Sequence, residues 1–248
     1  MNSEQATFWD HLDELRSVII RSLVVVMIAA VVAFCLKEWL FGVVLAPRSS
    51  DFITYRLLGI DNHFQLSLMN TGLTEQFMVH MRVALYAGLL LASPYILYQL
   101  FGFVAPGLYQ NERKAATWIA VSAYAMFILG TVVDYLLIFP LTVRFLGTYQ
   151  VSPDVMNMLT LQSYIDTLIS MSFVMGVVFE LPVVCAILGK MSLINSNMMS
   201  RYRRHAVVAI LVVSAIITPT TDAFTLLVVA LPIWLLYEVS ILLVRLNK

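Results

Sequence analysis

The sequence predicts an all-α integral membrane protein with about six transmembrane helices and both termini on the cytoplasmic side. Three observations carry this. Of 248 residues, 60% are hydrophobic and 12% charged, and the mean hydropathy is +0.87, outside the usage of soluble globular domains. About six apolar segments approach or exceed the ~20 residues that a helix needs to cross a bilayer core. The short connections then share Lys and Arg unequally. Arg16, Arg21, Arg113, Lys114, Lys190, Arg201, Arg203, Arg204, Arg245 and Lys248 fall on one side, and Lys37, Arg48, Arg56, Arg82 and Arg144 on the other. The richer side is the cytoplasmic one.

In chain order, the first segment is Phe8 to Arg16, FWDHLDELR. At 100° per residue Phe8, Leu12 and Leu15 share one face while Asp10 and Glu14 lie opposite, the pattern of an interfacial helix, over about residues 4–17, leading into the membrane. The spans follow at Val18–Leu36, Phe77–Phe103 with Pro94 inside, Ala115–Phe139 ended by Pro140, Tyr164–Leu188 carrying Glu180-Leu181-Pro182, a short His205–Ile217, and Ala223–Leu243 with Pro232 and Glu238. Residues 37–75 form the longest connection, on the outer face, and loops of that length are seldom featureless, so a structured cap is expected there. Ser152-Pro153-Asp154 marks a turn in the second outer loop.

The polar chemistry concentrates in Phe101 to Lys114, FGFVAPGLYQNERK. Phe101, Phe103 and Val104 close an apolar run, Pro106-Gly107 breaks the helix, and Glu112 then stands beside Arg113 and Lys114. An acid there complements the positive end of the next helix dipole, and the same account serves for Glu14 in the first turns of its helix. The other reading is recognition. A guanidinium offers a planar fork of donors that suits a carboxylate, and two adjacent arginines require two acids on one membrane face.

Several function classes lack their signatures. The formal net charge is zero, which gives no electrostatic footprint for nucleic acid. Cys35 and Cys185 fall in separate apolar runs without metal-ligand spacing and read as packing residues. There is no Gly-rich phosphate loop, H-E-x-x-H pair or G-x-S-x-G elbow, so no catalytic residues, no metal site and no cofactor are expected. The N-terminal acids oppose a cleaved signal peptide. Asp134, Glu180 and Glu238 in apolar spans motivate a secondary ion or solute transporter as the alternative. An intramembrane aspartyl protease through Asp134 and Asp166 is weaker, because neither acid sits in a supporting motif.

HLDELR at 11–16, FVAPGLYQNER at 103–113, ILGTVVDYLLIFP at 128–140, MGVVFELPVV at 175–184 and ITPTTDAFTLLVVALPIWLLYEVSI at 217–241 together resemble the TatC family, the membrane receptor subunit of the twin-arginine protein translocase. The resemblance spans nearly the whole chain and implies a single TatC-like membrane domain over 1–248 in a concave arrangement. It implies a non-enzymatic role in the bacterial inner membrane: binding the twin-arginine signal peptides of folded cargo and supporting proton-motive-force-driven export. It also implies small single-helix partners of the TatA/TatB type within an oligomeric complex. The family's signal-peptide site matches Glu14, Glu112 and Phe103 here; its intramembrane glutamate matches Glu180 and the aspartate after the short fifth helix matches Asp222. Val18 replaces a frequent arginine, and Thr218-Pro219-Thr220-Thr221-Asp222 lengthens the usual Thr-Pro-Pro-Asp by one residue.

Two further expectations concern the spans. The fifth, at 1.5 Å per residue, covers only about 20 Å of a hydrocarbon core about 30 Å thick, so the bilayer thins around it. Glu180 faces protein or water and not lipid.

Overall fold

The computed structural model describes residues 8–59, 66–104, 113–150, 152, 158–218 and 222–246. The chain divides into two compact units, Met1–Lys37 with Ala84–Ala125, and Glu38–Val83 with Met126–Lys248. Among the described residues, five helical segments are long and apolar enough to cross a membrane: Leu12–Cys35, Glu75–Phe103, Ile119–Thr148, Leu161–Lys190 and Ala223–Leu246. The short fifth candidate is also a helix, Arg203–Ile217. Its 15 residues give a rod of about 22 Å.

The first unit holds α1 (Phe8–Cys35), the C-terminal two-thirds of α4 (Glu75–Val104) and the N-terminal half of α5 (Arg113–Val133). No Gly or Pro interrupts α1, which from Phe8 onward runs through the boundary expected at Val18 as one continuous element. Helices in lipid gain little from burying apolar area against one another and associate where small residues let backbones meet. Here Gly88 of α4 meets Ala30 of α1 so closely that a Cβ on Gly88 would lie 2.6 Å from the Ala30 nitrogen. Ala33 on α1, and Ala84 and Ala92 one turn either side of Gly88, are buried as well. Pro94 has no N–H for the Leu90 carbonyl, four residues back. The Ser93 hydroxyl donates to that carbonyl at 2.7 Å instead, and α4 runs on through the proline.

The second unit packs around Ile138, Met171, Met175, Phe179, Ile210, Ile217, Val229 and Ile233. Its elements are α2 (Lys37–Val44), a 3-10 turn Ala46–Arg48, α3 (Ile53–Leu57), β1 (Leu68–Met69), the first turns of α4, the end of α5, a π-helical turn Asp134–Ile138, α6 (Phe139–Thr148), β2 (Leu159–Thr160), α7 (Leu161–Val178), α8 (Leu181–Lys190), α9 (Ser196–Arg201), α10 (Arg203–Ile217) and α11 (Ala223–Leu246). Between α5 and α7 each helix lends the other a glycine. A Cβ on Gly130 would meet the Met175 carbonyl at 2.6 Å and Phe179 at 2.8 Å, and one on Gly176 would meet the Phe127 ring at 2.7 Å. Gly189 of α8 seats Val244 of α11 in the same way.

The sequence placed the end of the third span at Pro140, and the helix in fact continues to Thr148. The proline leaves the Leu136 carbonyl without its intrahelical donor. Thr54 of α3 supplies one through its hydroxyl, so the interruption becomes a π turn and not an end. Within the connection over 37–75 the described residues form α2, the 3-10 turn, α3 and β1, and tyrosines fasten them to the spans. The Tyr55 hydroxyl lies 2.8 Å from the Pro140 carbonyl and 3.0 Å from that of Pro47. Tyr135 donates to Val43 at 2.7 Å and Tyr164 to Val44 at 3.1 Å. Parallel pairing of β1 with β2, Leu68 opposite Leu159, closes the same end. The fourth span breaks at Phe179–Glu180, where α7 ends and α8 begins with Pro182 in its first turn.

Gly88→Ala is expected to destabilise the detergent-solubilised protein by about 1–3 kcal/mol, the cost of overpacking. Gly42→Ala, with nothing within 4 Å, should be neutral or stabilising by up to about 1 kcal/mol. Thermal melts of the two variants make the comparison. Tyr55→Phe should cost about 1–3 kcal/mol by leaving carbonyls short of a donor. Burial pushes the Tyr55 hydroxyl above its ordinary value. Its contribution is therefore complete below the unfolded tyrosine value near 10 and falls away at higher pH, so an alkaline melting series should be flatter for Tyr55→Phe than for the parent.

Candidate functional site

Of the five residues singled out in the sequence, Glu14, Phe103, Glu180 and Asp222 are described, and Glu112 with the Pro106-Gly107 turn lies outside the described residues. Glu14 is exposed, two turns into α1, and Phe103 is half-buried at the last turn of α4. Both belong to the first unit, and α5, which begins one residue after Glu112, starts there too. The Ala30–Gly88 contact relates them. Glu14 is 16 positions before Ala30, and Phe103 is 15 positions after Gly88. Two successive spans joined through residues 36–74 enter the membrane from opposite faces. At 1.5 Å per residue the two side chains therefore stand about 24 Å and about 22 Å from the crossing, toward the same face. An acid and an aromatic ring share one level in the unit that also holds the start of α5.

Glu180 occupies the break between α7 and α8. Both its carboxyl oxygens are buried and meet no hydrogen-bond donor among the described residues. Its backbone is satisfied: its N–H donates to Val177 at 3.1 Å and its carbonyl accepts from Val184 at 2.9 Å. The side chain is thus held in the second unit by the chain direction and not by a polar partner. Asp222 caps α11, accepting from the Thr225 N–H through Oδ1 at 2.7 Å, an interaction that fits an acid at a helix start.

Three acids have roles that the sequence did not disclose. Glu75 looked like the end of a loop. It is buried, and its Oε2 accepts from the Thr71 and Gly72 N–H groups at 2.7 and 2.9 Å while Oε1 accepts from Gln162 at 3.0 Å, so it ties the start of α4 to the start of α7. Asp166 receives two bonds from Arg82, at 2.6 and 2.8 Å. Glu238 receives one from Arg203 at 2.7 Å. For Asp166 and Glu238 the signal available was an opposite charge in another segment, which spacing alone does not pair. Asp134 is fully buried, and neither of its carboxyl oxygens has a partner among the described residues. No group of three or more His, Cys, Asp or Glu among the described residues is placed to hold a metal ion.

The family model described as TatC, Sec-independent protein translocase protein, matches residues 10–232. The chain belongs to the TatC family. The Sec-independent protein translocase protein TatC of Deinococcus radiodurans is 35% identical over 240 residues, covering 97% of this chain and 86% of that protein. The TatC of Carboxydothermus hydrogenoformans is 32% identical, covering 100% and 96%. A crystal structure of the twin arginine translocase receptor TatC in DDM superposes with a TM-score of 0.79 at 29% identity, covering 96% of this chain and 99% of that one. The chain is accordingly a multi-pass membrane component of the Sec-independent, twin-arginine translocation system, working in a multi-subunit complex with other Tat proteins.

Asp222→Ala should cost about 0.5–2 kcal/mol by uncapping α11, and Asp222→Asn, which keeps an acceptor, much less. If thermal melts rank the two variants this way while protein export fails equally in both, Asp222 has a role beyond the cap.

Proposed function

We propose that this TatC-family chain is the signal-peptide receptor and core subunit of a twin-arginine translocase in the bacterial inner membrane, with both termini cytoplasmic. Glu14 and Glu112 take the paired arginines of the signal peptide and Phe103 packs beside them. The observation that supports this is the matching level of Glu14 and Phe103 on α1 and α4, in the same unit as the helix start that follows Glu112 in sequence. Folded cargo is moved at the expense of the proton-motive force, and small single-helix partners of the TatA/TatB type assemble on the chain. Glu180 and Asp222 serve the intramembrane and partner-contacting parts of this work. No bond in the cargo is made or broken, so the chain acts as receptor and scaffold and not as an enzyme.

The energetics set a condition. A hydrogen-bonded charge pair contributes about 1.5–3 kcal/mol when shielded and about 0–1 kcal/mol when exposed. Glu14 is exposed, so the bound peptide and the Phe103 ring must exclude the water. The transporter reading loses one of its three acids, since Glu238 pairs with Arg203, the protease reading loses Asp166 to Arg82, and membership of the TatC family favours neither.

Glu14→Gln and Glu112→Gln are each expected to weaken binding of a twin-arginine peptide to the full-length protein about tenfold or more, at 1.4 kcal/mol per decade. Added salt should weaken binding to the parent more than to the double variant. A folded double variant that binds the peptide as tightly as the parent would sink the assignment. Lysine in place of both peptide arginines should abolish the difference between parent and variant.

A further inference from the structure

The helices of the connection between α1 and α4 have two faces. On α2, Leu40 is buried while Trp39 and Val43, one turn apart, are exposed. On α3, Thr54 and Tyr55 are buried and hold Leu136 and Pro140, while Ile53 and Leu57, one turn apart, point outward together with the adjoining Leu58. Leu73, just before α4, is fully exposed. Trp39 shows 70% and Leu57 81% of its surface. Large apolar side chains bared in this number mark a surface made for something other than water.

Their position says what covers them. α2 begins two residues after α1 ends at Cys35, and the connection returns to the membrane at Glu75. This is the depth at which hydrocarbon gives way to headgroups, and a tryptophan beside Lys37 has the composition of an interfacial belt. We propose that the apolar faces of α2 and α3 lie in the headgroup–acyl boundary of the leaflet that the C-terminal end of α1 reaches, so that their partner is phospholipid. Charge contributes little. Lys37, Arg48 and Arg56 are offset by Glu38 and Asp51, and Arg56 already pairs with Asp51 at 3.7 Å. The attachment rests on buried apolar area and is independent of the anionic lipid fraction. One short helix thereby touches lipid through Ile53 and Leu57 and holds the π turn through Thr54 and Tyr55. The depth of that leaflet is transmitted directly to Leu136 and Pro140.

The test uses the full chain in lipid nanodiscs with Trp9, Trp118 and Trp234 changed to Phe, leaving Trp39. Lipids brominated near the top of the acyl chain should quench most of the Trp39 emission, and iodide in the buffer little. A second reporter keeps the native tryptophans: Leu57→Cys with Cys35→Ser and Cys185→Ser, carrying a nitroxide, which should be more accessible to oxygen than to a water-soluble nickel chelate. Neither result should change when phosphatidylglycerol replaces phosphatidylcholine. Strong iodide quenching with nickel access at Leu57 would overturn the proposal. So would protection from both quenchers that depends on the number of chains per disc, because protein would then be the cover. A clear dependence on anionic lipid would overturn attachment by apolar area.

Discussion

The constraint on which the rest of this molecule depends is that no backbone carbonyl can be left without a donor in hydrocarbon. Prolines inside spans create such carbonyls, and two are rescued by hydroxyls placed for the purpose. The Leu90 carbonyl, freed by Pro94, is met by Ser93 from the same helix. The Leu136 carbonyl, freed by Pro140, is met by Thr54 from a distant part of the chain. The first solution is local and lets α4 continue. The second is tertiary and makes the connection over 37–75 part of the third span's integrity.

That dependence explains why the cap is tied down by tyrosines. Tyr55, Tyr135 and Tyr164 each reach a backbone carbonyl across the boundary between cap and span. A tyrosine can do this at the membrane surface because its ring suits an apolar setting while its hydroxyl keeps a polar partner. Glu75 completes the arrangement by taking N–H groups from its own loop and from the start of α7. The ends of α4, α6 and α7 are thus fixed on the cap side by hydrogen bonds, and within the second unit by glycine contacts and apolar packing.

Much of this was legible in the sequence. The helical class and the long apolar helices follow from hydropathy, because the bilayer imposes one rule on every segment alike. The end of the third span was misplaced, since a proline stops a helix only when nothing else supplies its lost donor, and Thr54 is more than eighty residues away. The unbroken run of α1 was hidden by a change of amphipathic pattern at Val18, which alters what the helix faces and not whether it is a helix. The motif residues Glu14 and Phe103 were singled out from short patterns, while their common level depended on knowing that Gly88 meets Ala30. The Arg82–Asp166 pair went unread because its members lie in different segments, and Glu75 because its partners are backbone N–H groups that carry no sequence signal.

The exchange of glycines between α5 and α7 has a mechanical side. A slide of either helix by one residue would drive Phe127 or Phe179 into backbone, so this pair is keyed in register like a toothed joint. The key ends at Phe179, and the helix breaks at the very next residue, Glu180. Beyond the break, α8 is keyed in turn to α11 through Gly189 and Val244. Compliance in this span is therefore concentrated around a carboxyl that has no hydrogen-bond partner among the described residues, and a force applied to α8 would be felt first as a change in what surrounds Glu180.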